Sequence, residues 1–252
     1  MNIVITGANQ GIGYYFAEQV LKNGNKVAVL DIETDHIKEL KTLYQDKLLF
    51  FQADVRSQED IQKAVSKVVH DFGTIDVAIH NACKCTFDTE VNTDFDTYRD
   101  VFEVNYFGAL RLAKSVLPYM QKQKSGRVIF TSSGVGVTGF MGISPYASTK
   151  GALESLAKCL KIEYAKDNIS FHIIHPPLTR TNSSAPLPVP KEFMTSPEKV
   201  GQGLAKHIMS RQFIICHNTG QKIQTLFCYL FPTAFGSKLS EMTAGCIKEE
   251  NK

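Results

Sequence analysis

The feature that most restricts the fold is an apolar run that leads directly into a glycine-rich turn. Ile3-Val4-Ile5 is followed by the segment 6–13, Thr-Gly-Ala-Asn-Gln-Gly-Ile-Gly, in which a helical pattern begins. Such a unit directs backbone N–H groups and the positive end of a helix towards a pair of phosphates. Gly7 would permit the tight turn, Gly11 close approach to the phosphates, and Gly13 close packing of helix on strand. The turn therefore predicts an α/β domain that binds a dinucleotide.

The rest of the chain alternates short apolar runs with helical patterns. The expected strands lie near 2–6, 26–31, 47–52, 75–80, 126–132, 169–175 and 213–217. The expected helices lie near 11–23, 35–45, 57–72, 97–123, 145–166 and 197–210. Nearly continuous apolar strands are typical of a sheet that is buried on both faces. The alternation predicts a doubly wound parallel sheet of about seven strands with helices on both faces.

Size and composition suit one domain with one large core. The chain has 252 residues, of which 43% are hydrophobic, and a net charge of +3 without a basic block. These values favour one large domain and no nucleic-acid partner. We expect this domain to cover 1–217 and an apolar extension to follow over 218–252. Of six cysteines only Cys83 and Cys85 are close, and their spacing matches no usual zinc motif, so we expect no metal and reduced thiols. Because the first strand follows Met1 almost at once, we expect no leader and a cytoplasmic location.

The second expected strand indicates which dinucleotide is bound. It ends at Asp31, 18 residues after Gly13, where a carboxylate can accept hydrogen bonds from both hydroxyls of an adenosine ribose. A 2′-phosphate would be repelled there, and neither the glycine turn nor Ile32 supplies a cation to neutralise it. The sequence therefore predicts NAD, with NADP the less favoured cofactor.

Tyr146 and Lys150 are the candidate acid/base pair. They stand four residues apart at the start of an expected helix, so their side chains share one face. Lowering a phenol pKa by about three units takes roughly 4 kcal/mol. One ammonium at about 4 Å supplies about that much at an effective dielectric near 20. The pair can therefore exchange a proton with an alcohol or a carbonyl group.

Together with the glycine turn, these residues resemble the classical short-chain dehydrogenase/reductase family over roughly 1–217. Ser133 ends the fifth expected strand and lies 13 residues before Tyr146. The other matching positions are Asp54-Val55, Asn81-Ala82, Asn105 and the segment 176–181. The resemblance implies a single-domain Rossmann fold and a homodimer or homotetramer.

The resemblance also implies a role for each matching residue. Tyr146 would exchange a proton with the substrate oxygen and Ser133 would donate a hydrogen bond to that oxygen. Lys150 would hold the nicotinamide ribose and lower the pKa of Tyr146, and Asn105 would anchor a water in a proton relay. Asp54 and Val55 would contact the adenine, Asn81 the adenosine ribose, and Thr181 the carboxamide. The remaining expected cofactor contacts are Gly7, Asn9, Gln10, Gly11, Ile12, Gly13, Asp31, Ala82 and Pro176.

The chain departs from the family pattern at three places. Cys83 replaces a usual glycine after the fourth strand, and Pro177 replaces the glycine after Pro176. The third departure is the tail, where 221–231 predicts a mostly apolar helix ended by Pro232, with Phe235, Leu239 and Met242 extending the apolar surface. Its apolar part is far shorter than the ~20 residues that cross a bilayer. We expect the tail to pack on its own domain or on a partner subunit, and peripheral membrane contact through 220–242 is the less favoured alternative.

These patterns predict an NAD-dependent enzyme that interconverts a secondary alcohol and a ketone. The loop 177–197, rich in Pro, Ser and Thr, is expected to be mobile and to line the substrate pocket with the tail. The sequence therefore leaves the substrate open, with an apolar alcohol or ketone as one option. The alternative is a catalytically idle dinucleotide-binding protein that senses redox state. The presence of Ser133, Tyr146, Lys150 and Asn105 together argues against that alternative.

Overall fold

A computed structural model describes residues 1–187 and 189–250 of the chain, with side chains up to residue 243. Seven strands in this part of the chain form one parallel sheet. They are β1 (Asn2–Thr6), β2 (Lys26–Asp31), β3 (Leu48–Gln52), β4 (Val77–His80), β5 (Gly126–Thr131), β6 (Ile169–Ile174) and β7 (Ile214–Ile215). Their spatial order is β3-β2-β1-β4-β5-β6-β7, so the chain reverses its direction of travel between β1 and β4. This reversal leaves a crevice at the carboxyl ends of the central strands.

Helices cover both faces of the sheet. They are α1 (Gly11–Lys22), α2 (Asp35–Tyr44), α3 (Gln58–Phe72), α4 (Phe95–Phe102), α5 (Gly108–Gln123), α6 (Val135–Thr138), α7 (Ser144–Glu163), α8 (Pro197–His207), α9 (Thr219–Leu230) and α10 (Pro232–Glu250). Helices α1, α2 and α8 pack on one face, and α3, α5 and α7 pack on the other. The prediction of a doubly wound parallel sheet with helices on both faces is confirmed.

Alternate residues of each strand supply the two layers of the core. Along β1, Val4 belongs to the cluster under α3, α5 and α7, whereas Ile3 and Ile5 belong to the cluster under α1, α2 and α8. All three are at most 2% exposed. Because both faces are covered, the central strands are apolar at nearly every position.

Two predicted elements differ from those observed. The single helix expected over 97–123 is α4 and α5 joined by a π-helical turn over Glu103–Phe107. The strand expected over 213–217 is only Ile214–Ile215. The helix α6 was not expected, because a segment of four residues is too short to show a helical period in the sequence.

Two consecutive helices form the tail. The Asn218 side chain accepts a hydrogen bond from the backbone N–H of Gln221 at 2.8 Å and so begins α9. Pro232 was expected to end the tail helix, but it also begins α10, because proline has no N–H to lose in a first helical turn. No helix in the described ranges is both long and apolar enough to span a lipid bilayer.

Candidate active site

The glycine turn lies tightly against the chain that follows β4. Gly7 and Gly11 have φ values of 68° and 63°, which favour glycine. A Cβ on Gly7 would lie 2.5 Å from the backbone nitrogen of Ala82, and a Cβ on Gly13 would overlap the carbonyl oxygen of Gly7. A side chain at either position would push the turn off the strand. Gly7 and Gly13 thus allow the close contact of turn and strand, and the contact of Gly11 with phosphate stays a prediction.

The start of α1 offers unbonded donors at this turn. No side chain caps the helix at Gln10, so the N–H groups of Gly11, Ile12 and Gly13 have no acceptor among the residues that the structure describes. Unsatisfied N–H groups at a helix N-terminus bind phosphate oxygens well. The residues present therefore fit the pyrophosphate of a dinucleotide.

Asn81 ties the carboxyl ends of three strands together. Its Nδ2 donates to the carbonyl oxygen of Gly7 at 2.6 Å, and its Oδ1 accepts from the hydroxyl of Thr131 at 3.4 Å. The hydroxyl of Thr6 accepts from the backbone N–H groups of Asn81 and Ala82. The glycine turn is thereby held in place by β4 and β5.

Asp31 ends β2 beside the turn and is half-buried. Its Oδ2 accepts a hydrogen bond of 2.8 Å from the backbone N–H of Asn9, whose own Oδ1 accepts from the N–H of Ile37. Within the described residues Asp31 has no cationic partner, and the adjacent Ile32 is 60% exposed. The carboxylate keeps free lone pairs and repels a further negative charge.

Asp54 follows the carboxyl end of β3, and its carboxylate forms an ion pair with an arginine. Arg56 donates to both carboxylate oxygens, with an Nη2 to Oδ2 distance of 2.7 Å. These hydrogen bonds from Arg56 hold the pKa of Asp54 below its usual range, against the effect of partial burial. The expected contact with adenine would have to compete with Arg56. Val55 is buried and packs against Gly108 and His80.

Tyr146, Lys150 and Ser133 meet where β5 ends against α7. Lys150 is 1% exposed, and its Nζ donates to the carbonyl oxygen of Thr131 at 2.7 Å. The same Nζ lies 5.2 Å from the centre of the Tyr146 ring. Burial lowers the pKa of Lys150. The three predicted catalytic side chains are thus brought together at the carboxyl edge of the sheet.

The expected lowering of the Tyr146 pKa by Lys150 is not seen in this structure. Burial raises the pKa of Tyr146 well above its ordinary value, the nearby thiols of Cys83 and Cys85 raise it further, and Ser133 lowers it in part. The phenol is therefore protonated at neutral pH. The Lys150 ammonium donates to the carbonyl oxygen of Thr131, and within the described residues no hydrogen bond joins it to the phenol oxygen, so its effect on the Tyr146 pKa stays a prediction.

Asn105 lies in the π-helical turn and is fully buried. Its Oδ1 accepts from the backbone N–H of Lys84 at 2.7 Å, and its Nδ2 donates to the carbonyl oxygen of Lys84 and to the hydroxyl of Thr149. Thr149 precedes Lys150 on α7. Asn105 therefore joins the loop after β4 to the helix that carries Tyr146.

The loop after β6 closes on the glycine turn. A Cβ on Gly11 would lie 3.3 Å from Cγ2 of Thr181, and the amide of Asn182 donates to the side-chain oxygen of Gln10 at 2.5 Å. The departure Pro177 accepts a hydrogen bond of 2.7 Å from the hydroxyl of Thr179. Thr181 thus lies beside the phosphate turn, and Pro176 leads the chain from β6 towards it.

The other departure, Cys83, is exposed, whereas Cys85 is half-buried. Burial raises the pKa of Cys85 to about 12, so this thiol stays protonated. All five cysteines whose side chains are described are unpaired. Across the same described part of the chain, no cluster of His, Cys, Asp and Glu side chains is arranged to hold a metal.

A buried carboxylate network behind the site was not found from the sequence. Glu154, 5% exposed on α7, accepts hydrogen bonds from the hydroxyl of Ser132 at 2.9 Å, from Nε2 of His175 at 2.7 Å and from the hydroxyl of Tyr229 at 2.5 Å. Burial raises the pKa of Glu154, but these donors outweigh burial and the net shift is downward. One signal was available, since Glu154 lies one turn after Lys150 on the same face. Nothing local pointed to Tyr229 in α9.

Comparisons with known proteins agree with this geometry. The family model described as short chain dehydrogenase matches residues 1–190. A fatty acyl-CoA reductase from Acinetobacter baylyi is 29% identical over 225 residues, which cover 86% of this chain and 76% of that protein. A 2-(R)-hydroxypropyl-CoM dehydrogenase from Xanthobacter autotrophicus is 30% identical over 211 residues, which cover 81% of this chain and 82% of that protein.

The fold comparison reaches further along the chain. A crystal structure of a short-chain dehydrogenase from Streptomyces avermitilis superposes with a TM-score of 0.81 at 26% identity, covering 95% of this chain and 94% of that one. The match therefore extends beyond the 190 residues of the family model. The chain belongs to the short-chain dehydrogenase/reductase family of oxidoreductases, whose members bind NAD(H) or NADP(H).

Proposed function

We propose that this protein is an NAD(H)-dependent oxidoreductase that interconverts a secondary alcohol and a ketone, with Tyr146 as the general acid/base. One observation carries the proposal: Ser133, Tyr146 and Lys150 meet at the end of β5, in the same crevice as the uncapped start of α1. A group that donates a proton and a group that binds phosphate thus share one sheet edge.

The side chains of this site handle the proton. When bound, the dinucleotide supplies or accepts the hydride. The protonated phenol of Tyr146 is in the form that gives a proton to a ketone oxygen, and Ser133 donates a hydrogen bond to the same oxygen. The ammonium of Lys150, whose pKa is lowered by burial, lies 5.2 Å from the centre of the Tyr146 ring and supplies the positive charge beside the phenol.

The decisive experiment is the variant Tyr146→Phe. It keeps the ring and removes the exchangeable proton, so turnover of a secondary alcohol should fall by at least about 10² while NADH binding survives. Tyr164→Phe, a half-buried tyrosine at the end of the same helix, is the control and should leave turnover unchanged. A near-normal kcat for Tyr146→Phe would refute the catalytic assignment. A wild-type protein that binds NADH and turns over no alcohol or ketone would favour the redox-sensing alternative.

The preference for NAD is proposed from Asp31. The carboxylate has no cation beside it, so it accepts ribose hydroxyls and repels a 2′-phosphate. Asp31→Arg should shift the ratio of kcat/KM for NAD over NADP towards NADP by at least tenfold, whereas Asp35→Arg, at the exposed start of α2, should not. An unchanged ratio in Asp31→Arg would contradict this reading.

The substrate class follows from the family and from the tail. The relatives named above are a fatty acyl-CoA reductase and a 2-(R)-hydroxypropyl-CoM dehydrogenase, and α9 packs beside Gly134, next to Ser133. We propose a small, mainly apolar alcohol or ketone as substrate and a homodimer or homotetramer as the assembly. Screening of lipid, steroid and sugar ketones, with light scattering for mass, tests both. The cytoplasmic location stays a prediction.

A further inference from the structure

Helix α9 has its polar face inward and its apolar face outward. Gln221, Thr225 and Cys228 are buried at 8%, 4% and 5% exposure. The opposite face carries large apolar side chains, each about half exposed: Ile223, Leu226, Phe227 and Leu230. A surface helix of a globular protein ordinarily turns its apolar stripe to the core. The reversed orientation means that the outer face of α9 meets an apolar environment.

The inward contacts hold the helix in this orientation. Tyr229 donates to the buried carboxylate of Glu154, Cys228 packs 3.8 Å from the position of a Cβ on Gly134, and Asn218 caps the first turn. Rolling α9 to bury Leu226 and Phe227 would remove the Tyr229 donor from one buried oxygen of Glu154, which is unfavourable. The apolar face is therefore fixed outward.

The exposed patch is too small for a stable dimer formed through it alone. Phe231 and Met242, at 57% and 62% exposure, extend the four residues of α9. Six half-exposed side chains of this size present about 500 Å² of apolar surface, which is near the upper end for one patch on a monomer. A standard protein interface takes about 800 Å² from each partner. A second copy of this chain is thus not the favoured occupant.

The charge around the patch favours an anionic surface. The segment 211–240 holds Arg211, Lys222 and Lys238 and has no Asp or Glu. Lys222 is exposed next to Ile223, and Lys199 lines a cleft together with Gln224 of α9. Large apolar chains flanked by lysines are the composition that places a helix in the headgroup region of a bilayer.

We propose that the outer face of α9 docks this protein on the surface of a bilayer that contains anionic lipids. The helix lies in the plane of the headgroups, with Ile223, Leu226, Phe227 and Leu230 inserted and Lys222 facing the lipid phosphates. Because α9 follows β7 at the carboxyl edge of the sheet and contacts Gly134, docking brings the crevice of the sheet close to the membrane.

Vesicle flotation tests the proposal without any enzyme assay. Full-length protein should float with vesicles of phosphatidylcholine that contain about 30% phosphatidylserine, a share that gives a strong negative surface potential. The double variant Phe227→Ser/Leu230→Ser should bind at least tenfold more weakly. The control Leu43→Ser/Ile162→Ser removes two apolar side chains that are exposed on α2 and α7 and should bind like the wild type. Lys222→Glu should weaken binding several-fold at low salt and less at high salt.

Several outcomes would overturn the proposal. Wild-type protein that stays unbound, or a control variant that loses as much binding as the α9 variant, would do so. Light scattering could also show an oligomer that dissociates in Phe227→Ser/Leu230→Ser and in neither the wild type nor the control. That result would overturn the proposal, because a second copy of the chain would then cover the outer face of α9. Urea unfolding of both double variants checks that each is folded, and a folded α9 variant that floats like the wild type also overturns the proposal.

Discussion

Helices α1 and α9 attach to the same molecule in opposite ways. Helix α1 buries the apolar side chains Phe16, Ala17, Val20 and Leu21 and packs so closely on α8 that a Cβ on Gly201 would lie 2.7 Å from the backbone nitrogen of Phe16. Helix α9 buries Gln221, Thr225 and Cys228, and polar contacts hold it, chief among them the hydrogen bond from Tyr229 to Glu154. Helix α1 is held by buried apolar area and close backbone contact, whereas α9 is held mainly by a hydrogen bond to a buried carboxylate.

The difference lies in which face of each helix is committed to the core of its own molecule. Close backbone contact at the glycine turn restricts every residue near it, because interiors are packed to crystal-like density. A helix held by a few polar contacts leaves its outer face unrestricted, so that face is available for binding. Of the four predictions that follow, the first two compare the two helices directly, and the last two concern the polar attachment of α9 and buried polar groups.

The largest effect is expected at the glycines. Gly13→Ala places a Cβ against the carbonyl oxygen of Gly7 and 2.8 Å from Cα of Ala8, and neither backbone atom can move away freely. NADH affinity should fall at least tenfold, as measured by fluorescence titration. The control Gly220→Ala, in α9, meets nothing closer than 3.4 Å and should leave affinity unchanged and stability within about 0.5 kcal/mol. Equal NADH affinity in both variants would remove the distinction between the two helices.

The second prediction concerns apolar burial. Val20→Ala, at a position that is 2% exposed in α1, should lower the free energy of unfolding by about 2 kcal/mol through lost methyl groups and a residual cavity. Leu226→Ala, at a position that is 57% exposed in α9, should change it by less than about 0.5 kcal/mol. Urea unfolding without lipid measures both values. A large loss in Leu226→Ala would mean that the outer face of α9 is covered in solution.

The third prediction concerns the polar attachment of α9. Tyr229→Phe leaves one oxygen of Glu154 without its donor, so stability should fall by about 1.5 kcal/mol and α9 should open more often. Trypsin should then cleave faster after Lys222, which is exposed on α9. Tyr119→Phe, whose hydroxyl lies 3.3 Å from Ser66 on the surface, is the control and should not alter cleavage. Cleavage at the wild-type rate in Tyr229→Phe would show that packing alone holds the tail.

The fourth prediction concerns pH, and it separates the buried histidines of the sheet from the carboxylate that holds α9. Burial lowers the pKa of His172 to about 4 and that of His80 to about 3, so both are neutral in the folded protein. Unfolded histidine binds a proton below about pH 6.5, so stability should fall as the pH drops below that value, by at most about 1.4 kcal/mol per pH unit and histidine. Glu154, whose folded pKa is lowered, contributes stability that is lost only as the pH falls below its ordinary pKa of 4.5.

Urea unfolding between pH 7.5 and 5 measures this dependence. His172→Gln keeps a donor for the carbonyl oxygen of Gln212 and does not titrate, so its stability should depend less on pH than that of the wild type. Glu154→Gln should show the wild-type slope in this range, although its stability is lower throughout. An unchanged slope in His172→Gln would show that this histidine is protonated in the folded state.

The local sequence was enough to predict the strands, the glycine turn and the spacing of the catalytic side chains. Apolar runs, glycines in a turn and a pair four residues apart on a helix are properties of neighbouring residues, which the sequence shows directly. The order of the strands in the sheet was observed only in the structure. The seven-stranded sheet with helices on both faces and the family were therefore predicted correctly from the sequence.

Tertiary structure decided what depends on groups distant in the chain. The π-helical turn at Asn105 exists because its amide reaches Lys84 and Thr149, and the raised pKa of Tyr146 follows from burial and from where Lys150 donates its hydrogen bond. The sequence of α9 has an apolar face and a polar face. The helical period shows that the two faces exist but does not show which of them packs on the protein. The orientation of α9 depends on the buried carboxylate of Glu154, 75 residues before Tyr229. A buried ionised group needs hydrogen-bond donors, so it stabilises the helix orientation that supplies one.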